Sequence, residues 1–177
     1  MPTLHADSIT FFFDASMEAV LYDSSAHYQT VWQQKDGGKK GVDVVAIRMQ
    51  ATPPTAWLIE AKDFRSIRGE PKASNIAGLA AQVATKATDT IDGLAHAASN
   101  AADSEEKRFA TTASATPGQR IVLHLEPYTG ESTKLFPRDF SSKVLQELKR
   151  LVRPIDPNPL VLSIATTRHA KVPWSAA

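Results

Sequence analysis

Apolar residues in this chain fall first into short runs separated by turn formers and later into helical spacing. Ile9 to Phe13 is a β-prone run. The run Met17-Glu18-Ala19-Val20-Leu21 lies in a segment, residues 15–22, that fits either a helix or a strand, and propensity favours helix. Residues 29–34 predict a strand or a short helix, closed by the turn Asp36-Gly37-Gly38. Two more apolar runs, VDVVAI from Val42 and AWLIEA from Ala56, flank a polar loop holding Pro53 and Pro54, the pattern of adjacent antiparallel strands. Residues 63–73 are polar and interrupted by Gly69 and Pro71, which predicts a loop.

The period then changes. Ile76, Leu79, Ala80, Val83, Ala87, Ile91 and Leu94 form one apolar stripe, so residues 75 to about 98 read as a helix with Asn75 as N-cap. Residues 100–118 are rich in Ala, Ser and Thr and predict a surface connection with a short helix, the strongest candidate for disorder. RIVLHLE, Arg120 to Glu126, reads as an inner strand. Residues 134–138, beginning at Lys134, lead to a helix over about 139–152, with Val144, Leu145, Leu148, Leu151 and Val152 on its apolar face. Pro154, Pro157 and Pro159 stop it, and residues 160–164 predict a last buried strand. This order of elements predicts an α/β (α+β) fold, a central mixed sheet flanked by helices, in a single domain over residues 1–177.

Composition narrows the class. With 177 residues, 42% hydrophobic and 22% charged, the chain can bury a substantial core. Its apolar runs are far shorter than the roughly 20 residues of a membrane span, and the first residues carry no secretory pattern, so a cytoplasmic protein without a membrane partner is expected. Cysteine is absent, which removes thiolate chemistry and zinc–thiolate sites. The net charge of +1 argues against coating nucleic acid by bulk electrostatics. Local basic clusters do exist: Lys35, Lys39 and Lys40 before the first inner strand, and Lys62, Arg65, Arg68 and Lys72 after the second.

The candidate chemistry sits in those two strands. Asp43 interrupts the first run, and Glu60 with Lys62 interrupts the second, where buried strands would carry aliphatic residues. Charged groups are rarely buried unless paired or bound to metal. Two carboxylates and an ammonium at one end of a small sheet suggest a divalent-cation site with a lysine beside it, suited to phosphodiester hydrolysis. Asp43 and Glu60 would be ligands to Mg²⁺ or Mn²⁺, with the Ala61 carbonyl as a third, and Lys62 would orient or deprotonate water or stabilise the phosphorane. The same residues could instead be a turn cap and an edge-strand ion pair, since i and i+2 side chains share a face. No P-loop and no GxSxG elbow occurs, and the five histidines are scattered without ligand-like spacing. Asp63 is expected to face away from Lys62 and to pair with Arg65 or Arg68.

Asp43, then Glu60-Ala61-Lys62 on the next strand, then a helix carrying Gln82, resemble the PD-(D/E)XK superfamily of restriction-endonuclease-like nucleases. The resemblance covers residues of about 15–125 and implies an αβββαβ core, with the helix and strand from about 134 to 177 as an addition. It implies Asp43, Glu60, Lys62 and Gln82 as catalytic residues and Glu18, on a first helix, as a further metal ligand. It also implies a metal-dependent nuclease, most simply an endonuclease of DNA in a defence or DNA-processing system. Lys39, Lys40, Arg65, Arg68 and Lys86 would then contact the nucleic-acid backbone. A homodimer, or a larger defence complex, is implied by the same analogy. A non-catalytic protein of the same fold, serving as a binding or partner subunit, is the alternative. Val42 stands where the superfamily's name has proline. More narrowly, IEAKDFR, RIVLHLEP, KLFPRDF and IDPNPLVL resemble a group of uncharacterised bacterial proteins.

Overall fold

A computed structural model describes residues 1–51, 53–65, 75–131 and 136–177. Its centre is a mixed five-stranded sheet in the order β3 (Glu18–Leu21), β4 (Val44–Arg48), β5 (Thr55–Asp63), β6 (Gly118–Glu126) and β7 (Leu160–Leu162). The pairs β3–β4 and β4–β5 are antiparallel, whereas β6 is parallel to β5 and β7 is parallel to β6. Parallel pairing requires crossovers, and helices supply them: α1 (Ile76–Asn100) and α2 (Ser104–Ser114) join β5 to β6, and α3 (Phe140–Val152) joins β6 to β7.

The inner strands β4, β5 and β6 are largely buried on both faces, and the alternation of their side chains assigns each face a different cover. Val45, Ile47, Leu58, Ile121, Leu123 and Leu125 pack against Leu79, Val83, Phe109, Val144 and Leu148 of the helices. Val44, Ala46, Trp57, Ile59, Ala61 and Val122 face the other way. That face meets a second, antiparallel sheet of β1 (Thr3–Ala6), β2 (Ile9–Phe13) and β8 (Trp174–Ala176), which contributes Ile9, Phe11, Phe13 and Trp174. The molecule is therefore three layers: helices, mixed sheet, small sheet. A short helix, α4 (Ile164–Thr167), begins at the Ser163 capping box and leads towards β8.

Two elements differ from the sequence expectation, and a third settles an alternative it left open. The run at residues 17–21, favoured as helix, is strand β3, because it can pair along β4 from Glu18 opposite Ile47 to Leu21 opposite Val44. Cross-strand pairing outweighs the helical propensity of Met, Glu, Ala and Leu here. Consequently a β-hairpin, not a helix, precedes the three central strands among the described residues. Residues 100–118 do contain the short helix expected there, α2, but its Phe109, Ala110 and Ala113 are buried in the helical layer, so the segment is neither a surface connection nor disordered. Tyr28–Trp32 is a π-helical turn in which the Gln33 N–H donates to the Tyr28 carbonyl. Among the described residues, no helix is long and apolar enough to cross a membrane.

Candidate functional site

The strand register decides which charged residues meet. Val44 lies opposite Ile59, so one step further along the same ladder sets Asp43 opposite Glu60. Directly opposed residues share a face, with Cβ atoms about 4.5–5.5 Å apart, and like charges there repel. Two lysines relieve that repulsion. Lys62 Nζ lies 2.6 Å from Glu60 Oε1, and Lys86 Nζ on α1 lies 2.7 and 2.8 Å from the two Glu60 oxygens. Lys86 Nζ is also 3.6 Å from Asp43 Oδ1, so it touches both carboxylates. The four side chains balance as two negative and two positive charges on the helix-facing side of the sheet.

Backbone groups complete the cluster. Asp43 Oδ2 accepts a 2.6 Å hydrogen bond from the Ala61 N–H, and Lys62 Nζ donates to the Ala61 carbonyl at 3.0 Å. Glu60 has no exposed side-chain surface, while Lys86 and Lys62 are 15% and 22% exposed, so the cluster opens to solvent through its lysines. Burial, and then the charge of Asp43, push the Glu60 carboxyl above its ordinary value, and Lys62 and Lys86 pull it back. For Lys86, burial disfavours the charged form, but Glu60 and Asp43 outweigh it and hold the ammonium above the usual lysine range.

The loop that delivers Asp43 is fixed by α1. Asp89 Oδ1 accepts from Lys39 Nζ at 3.1 Å and its Oδ2 from the Lys40 N–H at 3.0 Å. Thr90 Oγ1 accepts from the buried Val42 N–H at 3.0 Å, and Trp32 Nε1 donates to the Asp89 carbonyl at 2.9 Å. Gly41 lets this loop pass between two rings: a Cβ there would stand 2.9 Å from both Tyr22 and Tyr28. One helix thus carries the ammonium of the site and pins the segment leading to its aspartate.

Comparison with known proteins adds little to this geometry. No family model matches the chain, and no solved structure matches it. The chain is similar to cysteine–tRNA ligase from Neisseria meningitidis serogroup A / serotype 4A (strain DSM 15465 / Z2491), 30% identical over 164 residues. The match covers 77% of this chain and 23% of that protein, so the chain spans under a quarter of the relative's length.

Of the residues singled out in the sequence, Asp43, Glu60, Ala61, Lys62 and Lys86 come together. Gln82 lies one helical turn before Lys86 on the same side of α1, half-buried. Glu18 does not join them. It sits on β3 opposite Ile47, four residues and about 13 Å of strand from Tyr22, the residue whose N–H bonds the Asp43 carbonyl. Its carboxylate pairs with Arg108 of α2, so its charge is already committed elsewhere. Lys39 is tied to Asp89, and Arg65 forks onto Asp63 at 2.6 and 2.9 Å, one of the two pairings expected of Asp63; Lys40 is exposed. Arg68, Lys72 and Lys134 lie outside the described residues.

An acid the sequence did not flag is nearer than Glu18. Asp23 follows the end of β3, and burial together with the Asp43 charge raises its carboxyl above the ordinary value, while Lys86 and Lys62 lower it. The signal that finds it is register: Tyr22 pairs with Asp43, so the residue after Tyr22 ends beside the cluster. Asp89 and Thr90 were also unmarked, since their role depends on which loop packs against α1. A separate cavity of about 330 Å³ lies behind Tyr22, between β3 and the α1–α2 pair, with Tyr28, Leu94 and Phe109 in its wall.

Proposed function

We propose that the chain is a metal-dependent nuclease that hydrolyses phosphodiester bonds, with DNA as the first substrate to test. The observation that carries this reading is the opposition of Asp43 and Glu60 on one face of the sheet, with Lys62 Nζ 2.6 Å from Glu60. The donor set suits the ion. Two carboxylates and the Ala61 carbonyl are hard oxygen donors, all three already engaged by cationic nitrogen, and magnesium commonly takes one or two carboxylates while keeping several waters. Among the described residues no three His, Asp or Glu side chains converge into a metal-holding group, so the pair and the carbonyl would be the protein's share. Bound there, Mg²⁺ or Mn²⁺ supplies a polarised phosphate and a water of lowered pKa.

The protein's own groups supply the rest. Asp43 and Glu60 would hold the ion through their carboxylate oxygens. Lys62, held by the Ala61 carbonyl, would orient the attacking water or stabilise charge developing on phosphorus-bound oxygen. Gln82 would position water or phosphate through its amide, and exposed Lys40 would contact the backbone without reading sequence. Incubation of supercoiled plasmid with protein and Mn²⁺ should give nicked or linear product. Asp43→Ala and Lys62→Ala should each abolish that product while retaining the wild-type circular-dichroism spectrum; undiminished cleavage by both variants would refute the assignment.

A second reading, a non-catalytic module of the same fold, is favoured by one observation. The two acids are charge-balanced by two lysines, so the cluster is self-sufficient as an ion-pair network. The match to a minor part of a larger protein is compatible with a module that recurs in longer chains. Absence of Mn²⁺ binding by calorimetry would favour this reading.

A further inference from the structure

We infer that Lys86 is the resident cation of the acid pair and sets the affinity of the site for divalent metal, an inference that rests on the nuclease reading. Three of the four carboxylate oxygens lie within 2.7–3.6 Å of this single nitrogen. No other described side chain bridges Asp43 and Glu60. An ion coordinated at about 2.0–2.1 Å by the same oxygens would occupy much of the ammonium's space. Two cations that close repel strongly, so metal and Lys86 compete for one place.

The two lysines are not equivalent in this respect. Lys62 belongs to the same strand as Glu60 and is also tied to the Ala61 carbonyl, so it flanks the pair. Lys86 reaches across from α1 on a flexible four-carbon stem and retains some exposure, which gives its ammonium a route outward. Displaced from the acids, that ammonium would need another anion, and a substrate phosphate is the group it would meet at the same site. Metal and nucleic acid would then favour each other's binding: the metal releases the lysine, and the phosphate receives it.

Calorimetric titration of Mn²⁺ into four metal-free proteins tests this: wild type, Lys86→Gln, Lys86→Arg and Lys107→Gln. Lys86→Gln keeps an amide donor towards Glu60 but removes the charge. Lys86→Arg keeps the charge, and Lys107→Gln removes an equal charge from the exposed surface of α2. The expected result is that Lys86→Gln binds Mn²⁺ at least about tenfold more tightly than the other three. Equal binding by wild type and Lys86→Gln would overturn the role of Lys86 and leave the metal site standing. Equal tightening in Lys107→Gln would reduce the effect to net charge and overturn it as well. Absence of Mn²⁺ binding in all four proteins would remove the nuclease reading itself, and the inference with it. Melting curves with and without Mn²⁺ give a second readout, since tighter binding must raise the metal-induced shift.

Discussion

Asp43 does two jobs with one carboxylate: Oδ2 takes the Ala61 N–H, leaving Oδ1 to face Lys86. The sequence made this residue visible because an acid in an apolar strand run needs a partner, and the same logic exposed Glu60 and Lys62. It pointed to Glu18 and passed over Asp23, because only the pairing of Tyr22 with Asp43 tells which acid reaches the cluster. His124 shows the limit of the same logic on the opposite face. Its ring is buried against Phe11, with Nε2 3.2 Å from Glu126 and Nδ1 without a hydrogen-bond partner among the described residues. Burial holds its pKa below the ordinary histidine value, against the pull of Glu126. A group whose folded pKa is depressed contributes stability above its unfolded pKa, near 6.5, and loses it as pH falls through that value. The urea midpoint should therefore drop between pH 7.5 and pH 5.5, and His124→Phe should show a smaller drop over the same interval.

At the scale of elements, α1 is the organising unit. Its apolar stripe was legible as a helix because seven residues repeat at the right spacing, and its Asn75 cap, accepting from the Gly78 N–H, follows from the same reading. What its polar residues hold was not legible, because Asp89 and Thr90 act on a loop some fifty positions earlier in the chain. Thr90→Val keeps the side-chain shape but leaves the buried Val42 N–H without its acceptor. Such a loss costs about 1–3 kcal/mol, readable as a lowered denaturant midpoint, and Thr90→Ser should recover most of it. The segment of β3 fits either a helix or a strand by sequence, and local propensity favours helix for the converse reason: the partner strand that decides the matter lies more than twenty residues on.

For the whole molecule, the mixed sheet separates two chemistries, with the charged cluster among the helices and an aromatic layer beneath. The sequence predicted the central sheet and its helices, but not the small sheet, since the pairing of β8 with β2 brings together residues more than 160 positions apart, although β1 and β2 form a local hairpin. Trp174 closes that layer edge-on against Trp57, with ring centroids 5.0 Å apart, and tilted against Phe13. Trp174→Ala should cost about 3–5 kcal/mol of stability, seen as a lower melting temperature. Because the lost ring lies on the face away from Asp43 and Glu60, Mn²⁺ affinity at a temperature where the variant is folded should stay at the wild-type value.

Ala61 belongs to both of those worlds at once. Its backbone N–H is held by Asp43 and its carbonyl by Lys62, while its methyl group is packed, fully covered, among the residues above the small sheet. A saturation library would therefore score position 61 as intolerant even though no atom of its side chain meets the charged residues. Any bulkier substituent would lever the peptide from behind, tilting both neighbours, Glu60 and Lys62, away from their counterparts.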